Sequence, residues 1–341
     1  MAGFRKRMSP AAVALLLSTG GHTLAADFYA GKTITILVGS DVGGGFDSVA
    51  RMVGRHLGRF VPGAPKVIVE NMPGAGSGTA ANHVYTRAAR DGTVIGALAP
   101  GGLLAPLFEQ RVTGFDPTKF QYVGSADSSA RLCISLRESR IKTFRDAQTQ
   151  TVVVGAAAVA SASYDYGFLH KNAHGGNFNV VAGYKGTAEI LLAMERGEVE
   201  MTCGLDWYSV NSTRPTLAQN GGFNLLLKVA VRPEPELERL GVPDADTFAP
   251  DERRLAIGRL VGAQQNVGRP YLVAPGVPAD RVEILRQAFV QAVGDPELQA
   301  ESARLKVHVA ATPGARVQEA VDKMYAAPAD LREGARQAIR P

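Results

Sequence analysis

The amino-acid sequence predicts an α/β protein built of two lobes, and two observations lead to that prediction. Short β-branched runs alternate with longer segments of helical period, which is the pattern of a parallel sheet covered by helices on both faces. The chain has 341 residues, more than one compact core usually holds. We therefore expect two lobes, with one large lobe as the alternative.

Nine segments have the length and composition of strands, and four longer ones have a clear helical period. The predicted strands are 33–38, 66–70, 93–98, 131–136, 151–155, 178–181, 199–203, 223–229 and 270–274. The predicted helices are 163–172, 187–196, 279–293 and 314–325. A further helix is expected between the first two strands, because apolar residues from Val49 to Phe60 recur at helical spacing and Asp47 stands at the expected N-cap.

The last two predicted helices, 279–293 and 314–325, follow a part of the chain with few strands for them to cover. We therefore expect them to return and pack on the first lobe, so that the chain crosses between lobes near residues 125 and 230. This assigns residues 27–126 plus 230–341 to lobe 1 and residues 127–229 to lobe 2.

The first 26 residues have the pattern of a signal peptide. Arg5, Lys6 and Arg7 precede an apolar run, which small residues follow up to Ala26. The run is shorter than the roughly 20 residues that span a bilayer. We expect its removal and a soluble, periplasmic protein.

The charged residues argue against a nucleic-acid partner. The formal net charge is +5, and three of the basic residues lie in the leader. A nucleic-acid surface would need clustered Lys and Arg with interleaved aromatic residues, and the sequence has no such cluster. The remaining charge supports only weak attraction of anions.

The two cysteines, Cys133 and Cys203, are too few for a disulfide scaffold and too far apart for a CxxC site. They can form one disulfide in the periplasm or remain as two buried thiols.

Two glycine-rich loops are the most informative features, because each follows a strand and precedes a helix. Their residues are Gly43, Gly44, Gly45, Phe46 and Asp47 in the first, and Gly74, Ala75, Gly76, Ser77 and Gly78 in the second. Glycines permit close backbone approach, and a helix N-terminus offers unpaired N–H groups to an anion. Each loop alone is equally consistent with a structural turn, but two at one sheet edge favour a ligand site.

Nucleotide ligands fit these loops poorly. Neither loop has the lysine-containing phosphate-loop sequence, and neither is a Gly-x-Gly-x-x-Gly turn followed by an acidic residue about 20 positions later. The loops therefore predict a small anion and no cofactor.

Two second-lobe segments can face these loops across a cleft. Ser161 and Ser163 open one predicted helix, and Tyr184, Lys185, Gly186 and Thr187 open the next. Helix capping with a solvated Lys185 is the alternative interpretation of these residues.

Taken together, the motifs resemble the periplasmic receptors of tripartite tricarboxylate transporters, also called Bug receptors. The similarity covers the whole chain after the leader. It is carried by residues 34–38 with the first glycine loop, by 69–76 (Val-Glu-Asn-Met-Pro-Gly-Ala-Gly), by 89–93 (Ala-Arg-Asp-Gly-Thr) and by 184–187 (Tyr-Lys-Gly-Thr).

The resemblance implies a two-lobed periplasmic binding protein of type II with a two-strand hinge. Such a receptor, expected here as a monomer, binds a small organic carboxylate largely through backbone N–H groups of its glycine loops. One large and one small polytopic membrane subunit then import the ligand. Because the sequence has no cluster of metal ligands and no catalytic motif, we expect no cofactor, metal or catalytic residue.

Three departures from the family pattern bear on the ligand. Val42 replaces the usual proline and Phe46 the usual threonine, so an aromatic ring stands where a hydroxyl ligand is common. The segment 155–163 is rich in alanine rather than in glycine and asparagine. In the simplest register Gly204 occupies the place of a second-lobe aspartate, and Asp206, two residues later, becomes the candidate.

Two other functions stay open as alternatives. A partner that reports the ligand to a signalling kinase would have the same fold. A hydrolase is less favoured, since no Gly-x-Ser-x-Gly elbow is present and His56, His83 and His170 fall in helical patterns, interpreted as surface or boundary positions. Di- and tricarboxylates and aromatic acids all fit the sequence as ligands.

Overall fold

A computed structural model describes residues 28–43, 45–108, 113–127, 129–159, 161–305 and 307–341. The predicted signal peptide lies outside these residues. Within them, no helix has both the length and the apolar character needed to cross a bilayer.

Two β-sheets form the framework, one in each lobe. The strands are β1 (Thr33–Val38), β2 (Lys66–Asn71), β3 (Val94–Ala97), β4 (Gln121–Ser125), β5 (Arg131–Leu136), β6 (Val152–Ala157), β7 (Phe178–Tyr184), β8 (Met201–Asp206), β9 (Phe223–Val229), β10 (Pro270–Val273) and β11 (Thr312–Pro313). The first sheet has the order β11-β4-β10-β3-β1-β2, and the second has the order β7-β6-β8-β5-β9. The predicted α/β class is confirmed, and each predicted strand overlaps an observed one.

Helices cover both sheets. They are α1 (Gly45–Leu57), α2 (Gly78–Thr86), α3 (Pro100–Phe108), α4 (Phe144–Thr149), α5 (Ala162–Asn172), α6 (Thr187–Glu195), α7 (Trp207–Thr213), α8 (Pro215–Gln219), α9 (Pro235–Arg239), α10 (Glu252–Gly262), α11 (Ala279–Gly294), α12 (Pro296–Leu305), α13 (Gly314–Ala326) and α14 (Ala329–Ala338). The four helices with a clear period are confirmed, with ends within one residue of the predicted ends.

Both sheets are mixed, so the expectation of a parallel sheet is wrong in part. Strands β1, β2 and β3 run parallel, but β10 is antiparallel to β3 and β4. In the second sheet β5 is antiparallel to β8 and β9. The cause is the connectivity, because β10 enters the first sheet on the return from the second lobe and β5 enters the second sheet directly from β4.

Strand β4 was not predicted from the sequence. Its residues Gln-Tyr-Val-Gly-Ser include poor strand formers, and local propensity is therefore weak. Packing overrides it, because β4 pairs with β10 and is covered by α11 and α13. This packing shows that the late helices α11 and α13 return to the first sheet.

The two crossings between the sheets differ in length. The first runs directly from β4 to β5, and the second runs from β9 to β10 through α9 and α10. Leu237 and Val242 of the second crossing pack in a second-lobe core, whereas α10 packs against α14. Helix α14 also contacts α3 of the first lobe and α5 of the second. The boundaries near 126 and 230 remain predictions.

The expectation that Asp47 is the N-cap of α1 is wrong. The helix begins at Gly45, so Asp47 lies inside its first turn rather than before it. The Asp47 carboxylate nevertheless accepts the N–H of Gly43 at 2.8 Å. An acidic side chain in the first turn that binds back to the preceding backbone satisfies a donor that the helix cannot.

The cysteines form a disulfide between the neighbouring strands β5 and β8. Both residues are fully buried, so of the two alternatives the structure has the bridged one. The interpretation of His170 as a surface or boundary residue is wrong. It is fully buried in α5, and its Nδ1 atom lies 2.9 Å from that of His174, which lies in the turn after α5 ends at Asn172.

Candidate functional site

A cavity of about 340 Å³ lies between the lobes. Its walls come from the first lobe, the second lobe and both crossings. The residues around it are Phe46, Ala99, Pro100, Gly101, Asp127, Arg131, Ser161, Ala162, Asp165, Tyr166, Asp206, Gln264, Gln265, Gly268 and Arg269. The size and the mixture of aromatic and polar walls suit a small polar molecule.

Three helices direct their N-terminal turns at this cavity. Helix α1 contributes Phe46, α3 contributes Pro100 and Gly101, and α5 contributes Ala162 with its cap Ser161. The first turn of each helix carries N–H groups without intrahelical partners and a partial positive charge. Because α1 and α3 belong to one lobe and α5 to the other, an anion between them would be contacted from both sides.

A buried carboxylate organises the first glycine loop. Asp47 accepts hydrogen bonds from Gly43, Arg51 and Asn71 at 2.8 to 3.0 Å, and Asn71 also donates to the Ser40 carbonyl. Burial alone raises the pKa of Asp47, but hydrogen bonds from these three residues outweigh burial and lower it. Asp47 thus holds the loop in place with its own oxygens. Gly44 lies outside the described residues.

The second glycine loop has an unusual backbone. The φ angles of Gly74, Ala75, Gly76 and Ser77 are 129°, 49°, 60° and 82°. Two of these residues carry a Cβ, and such residues seldom adopt positive φ without compensation from surrounding contacts. One such contact is the Ser77 hydroxyl, which donates to the Gly39 carbonyl and accepts the Ala99 N–H, each at 2.9 Å. Ser77 therefore joins the end of β1 to the segment that opens α3.

Gly102 is a residue that the sequence analysis missed. A Cβ on Gly102 would lie 2.1 Å from the Gly76 carbonyl oxygen and 2.7 Å from the Gly78 nitrogen. The start of α3 therefore approaches the second glycine loop more closely than any other residue type would permit. The signal in the sequence was a further Gly-Gly pair, Gly101-Gly102, shortly after β3.

In the second lobe the two serines have different roles. Ser161 caps α5 by accepting the Tyr164 N–H at 3.2 Å, and it lines the cavity. Ser163 is buried, and its hydroxyl accepts the N–H of Ala157 at 2.9 Å, which secures the end of β6. The two hydroxyls are 3.3 Å apart.

The segment Tyr184 to Thr187 lies at the end of the edge strand β7 and the start of α6. The Lys185 N–H donates to the Glu189 carboxylate. Gly186 is the residue before α6, with φ of 156°. Within the described part of the chain, none of these four residues is among those that line the cavity. Of the candidate site residues, Phe46, Ser161 and Asp206 line the cavity.

Strand β8 ends at Asp206, two residues beyond the position that the simplest register gave to the second-lobe aspartate. The pairing of β5 with β8 shifts between Leu132 and Ile134, and Gly204 has φ of 77°. This irregularity adds one residue to β8 relative to β5, and the strand ends at Asp206 and not near Gly204. The Asp206 carboxylate accepts hydrogen bonds from the N–H and the hydroxyl of Ser209. It accepts a third from Nη1 of Arg131, at 3.3 Å.

Two arginines of the cavity wall were also missed. Arg131 is the first residue of β5, and Arg269 directly precedes β10. Arg269 lies 3.8 Å from the buried Asp127 and 5.8 Å from the Phe46 ring centroid. Burial raises the pKa of Asp127, but the charges of Arg269 and Arg131 and the Ser129 hydrogen bonds outweigh it, so this pKa is lowered. A charged residue opening an otherwise apolar strand was the available signal.

Two clusters within the described residues have metal-ligating side chains. One is the buried set Cys133, His170 and Cys203, whose sulfur atoms are joined to each other. The other is His56 with Asp295 and Glu297, and both of these carboxylates pair with Arg59. Neither lies on the cavity wall.

Comparison with known proteins starts from sequence. No family model matches the chain. A curated protein of Agrobacterium vitis, the UPF0065 protein in the TAR-I ttuE-ttuC' intergenic region, is 27% identical over 195 residues. The match covers 52% of this chain and 52% of that protein, so it spans about half of the curated relative.

Solved structures match over nearly the whole chain. A TctC solute-binding protein from Polaromonas, without ligand, has a TM-score of 0.69 at 18% identity, over 90% of this chain and 98% of that one. The periplasmic binding protein BugD gives 0.62 at 20% identity, over 91% and 98%. MatC from Rhodopseudomonas palustris, with bound malate, gives 0.61 at 19% identity, over 89% and 99%. The chain therefore has the two-lobed fold of these proteins, and the resemblance to TctC and Bug receptors is confirmed.

Proposed function

We propose that this protein is an exported receptor that binds a small organic carboxylate between its lobes and delivers it to a membrane transporter. One observation carries the proposal. The N-terminal turns of α1 and α3 from one lobe and of α5 from the other converge on a cavity that also contains Arg131 and Arg269. MatC, which has the same fold, holds malate, and this supports a carboxylate as the ligand.

The energetics require the cleft to close around the ligand. Micromolar binding corresponds to about 8 kcal/mol, whereas a helix terminus contributes only roughly 0.3 to 1 kcal/mol to an exposed anion. Several charge-assisted hydrogen bonds of about 1.5 to 3 kcal/mol each must supply the remainder, and they reach that strength only when water is excluded. Closure by hinge rotation at the two crossings achieves this.

The transport step follows from the family resemblance. A receptor of this type passes its ligand to one large and one small polytopic membrane subunit. Deletion of the gene for this protein should then abolish uptake of the acid that the purified protein binds. Uptake that persists while the purified receptor binds the acid would favour a sensing role.

Calorimetric titration of the mature protein with a panel of di-, tri- and aromatic carboxylates tests the binding step. The decisive variant is Gly76→Val, with Gly197→Val as the matched control. Gly76 and Gly197 have φ of 60° and 74°, and a Cβ on either meets no atom closer than 3.6 Å. Both substitutions therefore carry a similar backbone strain of about 1 to 2 kcal/mol, but only Gly76 lies in a candidate anion loop.

We expect Gly76→Val to weaken binding by more than about tenfold while Gly197→Val binds as the unmodified protein does. Small-angle scattering should show a smaller radius of gyration when the bound acid is present. Equal affinity for both variants would make the second glycine loop a structural turn and would remove the loop from the proposal.

A further inference from the structure

We propose that Arg131 and Arg269 form a second anion subsite at the base of the cleft, which makes this receptor select a dicarboxylate over a monocarboxylate of the same length. The inference rests on the proposed function and specifies it further. One carboxylate would be bound by the helix N-termini, and the other by the two guanidinium groups.

The location of the two arginines supports a shared role. Arg131 opens β5 immediately after the first crossing, and Arg269 ends the second crossing immediately before β10. Both line the cavity between the lobes, with side chains 21% and 19% exposed. The chain passes from one sheet to the other at these two crossings, so the two guanidinium groups lie at the base of the cleft.

The acidic partner of each arginine contacts only one nitrogen of the guanidinium group. Arg131 contacts Asp206 through Nη1 alone, at 3.3 Å. Arg269 also uses Nη1, which donates to the His308 carbonyl at 3.3 Å and lies 3.8 Å from Asp127, beyond hydrogen-bond distance. A guanidinium group has five N–H donors, and its Nε and Nη2 atoms together match the two oxygens of one carboxylate. In the described part of the chain, neither arginine donates to a protein acceptor through that edge.

Two of the three aspartates of the wall, Asp127 and Asp206, lie beside the arginines and raise the opposite possibility, a ligand with an ammonium group. However, Asp206 already accepts two hydrogen bonds from Ser209 in addition to the Arg131 contact. Asp127 accepts two from Ser129 and is 3% exposed. Both oxygens of Asp206 accept hydrogen bonds, whereas both Ser129 bonds go to Oδ1 of Asp127 and its Oδ2 lies 3.8 Å from Arg269 Nη1. Because each of these aspartates lies beside an arginine, the guanidinium edges are the groups proposed to bind the ligand. A second carboxylate there should tighten binding by about ten- to a hundredfold.

Matched pairs of linear acids test the proposal by calorimetry: succinate against butyrate, glutarate against pentanoate, and adipate against hexanoate. The variants are Arg131→Gln and Arg269→Gln, with Arg55→Gln as a control, because Arg55 pairs with Glu301 away from the cavity. Arg269→Lys keeps the charge and removes the planar fork. The double variant D127N/R269Q avoids an unpaired buried carboxylate, should Arg269→Gln alone fail to fold.

We expect the unmodified protein to bind at least one diacid more than about tenfold tighter than its monoacid partner. Each Arg→Gln change, and the double variant, should reduce that ratio by about tenfold or more while monoacid affinity changes less than about threefold. Arg269→Lys should reduce the ratio less, and Arg55→Gln should leave it unchanged.

The outcomes separate the two proposals. Binding of acids without preference for diacids, or an equal loss for both acids in the arginine variants, overturns the subsite and leaves the receptor function intact. Tighter binding of amino acids than of diacids also overturns it. Failure of every acid to bind would overturn the proposed function and the subsite with it.

Discussion

Replacement of Gly102 by alanine tests the close approach between α3 and the second glycine loop. The added Cβ would lie 2.1 Å from the carbonyl oxygen and 2.6 Å from the carbonyl carbon of Gly76, and 2.7 Å from the Gly78 nitrogen. All three atoms are backbone atoms, so no side chain can rotate out of the way. The helix and the loop must move apart.

The distances set the size of the effect. Cβ atoms essentially never come within 3.0 Å of another heavy atom, and the shortest contact would be 2.1 Å, so the two segments must separate by about 1 Å. Overpacking of this kind costs typically 1 to 3 kcal/mol of folding free energy. Gly101, the neighbouring residue, lines the cavity. A donor displaced by about 1 Å no longer makes a hydrogen bond, and each lost charge-assisted bond should weaken ligand binding by about ten- to a hundredfold.

Urea unfolding and calorimetric titration with a bound acid measure the two effects separately. Gly294→Ala is the control, because a Cβ at the end of α11 would meet nothing within 4 Å. That variant should bind normally and gain up to about 1 kcal/mol in stability, since alanine is the better helix former. The reasoning fails if Gly102→Ala retains the affinity of the unmodified protein, because the approach of α3 to the loop would then have no role in the site.

Three further predictions concern the first glycine loop, the disulfide and the buried histidines. Gly45→Ala should weaken acid binding in titration without lowering thermal stability, because a Cβ there meets nothing within 4 Å and Gly45 adjoins Phe46 of the cavity wall; unchanged affinity would place the ligand elsewhere. The double variant C133A/C203A should lose about 2 to 4 kcal/mol in urea unfolding, since the bridge joins residues 70 positions apart, and an unchanged midpoint would contradict this. Burial lowers the pKa of His174 from 6.5 to about 4 and that of His170 well below its usual value. As pH falls below 6.5, these histidines therefore take up protons in the unfolded chain before they do so in the folded protein. The contribution of His174 alone should lower the free energy of unfolding by about 3 kcal/mol by pH 4, and the histidine contribution should stay constant above pH 7. A free energy of unfolding that does not change with pH in urea experiments would show that these residues are not buried as neutral side chains.

Local patterns predicted the elements of the fold closely. Strands β1, β5 and β9 have the bounds predicted from their β-branched and apolar runs, and α11 and α13 end within one residue of the predicted ends. Such patterns depend on neighbours in sequence, because the strand and helix periods reflect which face of one segment is buried. The same local information placed both glycine loops, and the positive φ of Gly76 matches the conformation for which glycine is suited.

Contacts between distant segments were not predictable in this way. The burial of His170 against His174 and the pairing of the cysteines depend on how β5, β8 and α5 pack. Likewise, the shift in pairing that carries β8 on to Asp206 is a property of two strands together, and neither strand alone indicates it.

The sequence by itself determined that this protein alternates strands and helices, carries two glycine loops at one sheet edge, and has motifs that resemble those of Bug receptors. Only the tertiary structure decided which residues face the cavity between the lobes. Arg131 and Arg269 lie far apart in the chain and become neighbours of one cavity because the two crossings meet between the lobes. Asp47, a candidate ligand by position, instead accepts hydrogen bonds from Gly43, Arg51 and Asn71. The physical reason is that conformational preference is a local property, whereas burial and charge pairing depend on residues that only folding brings together.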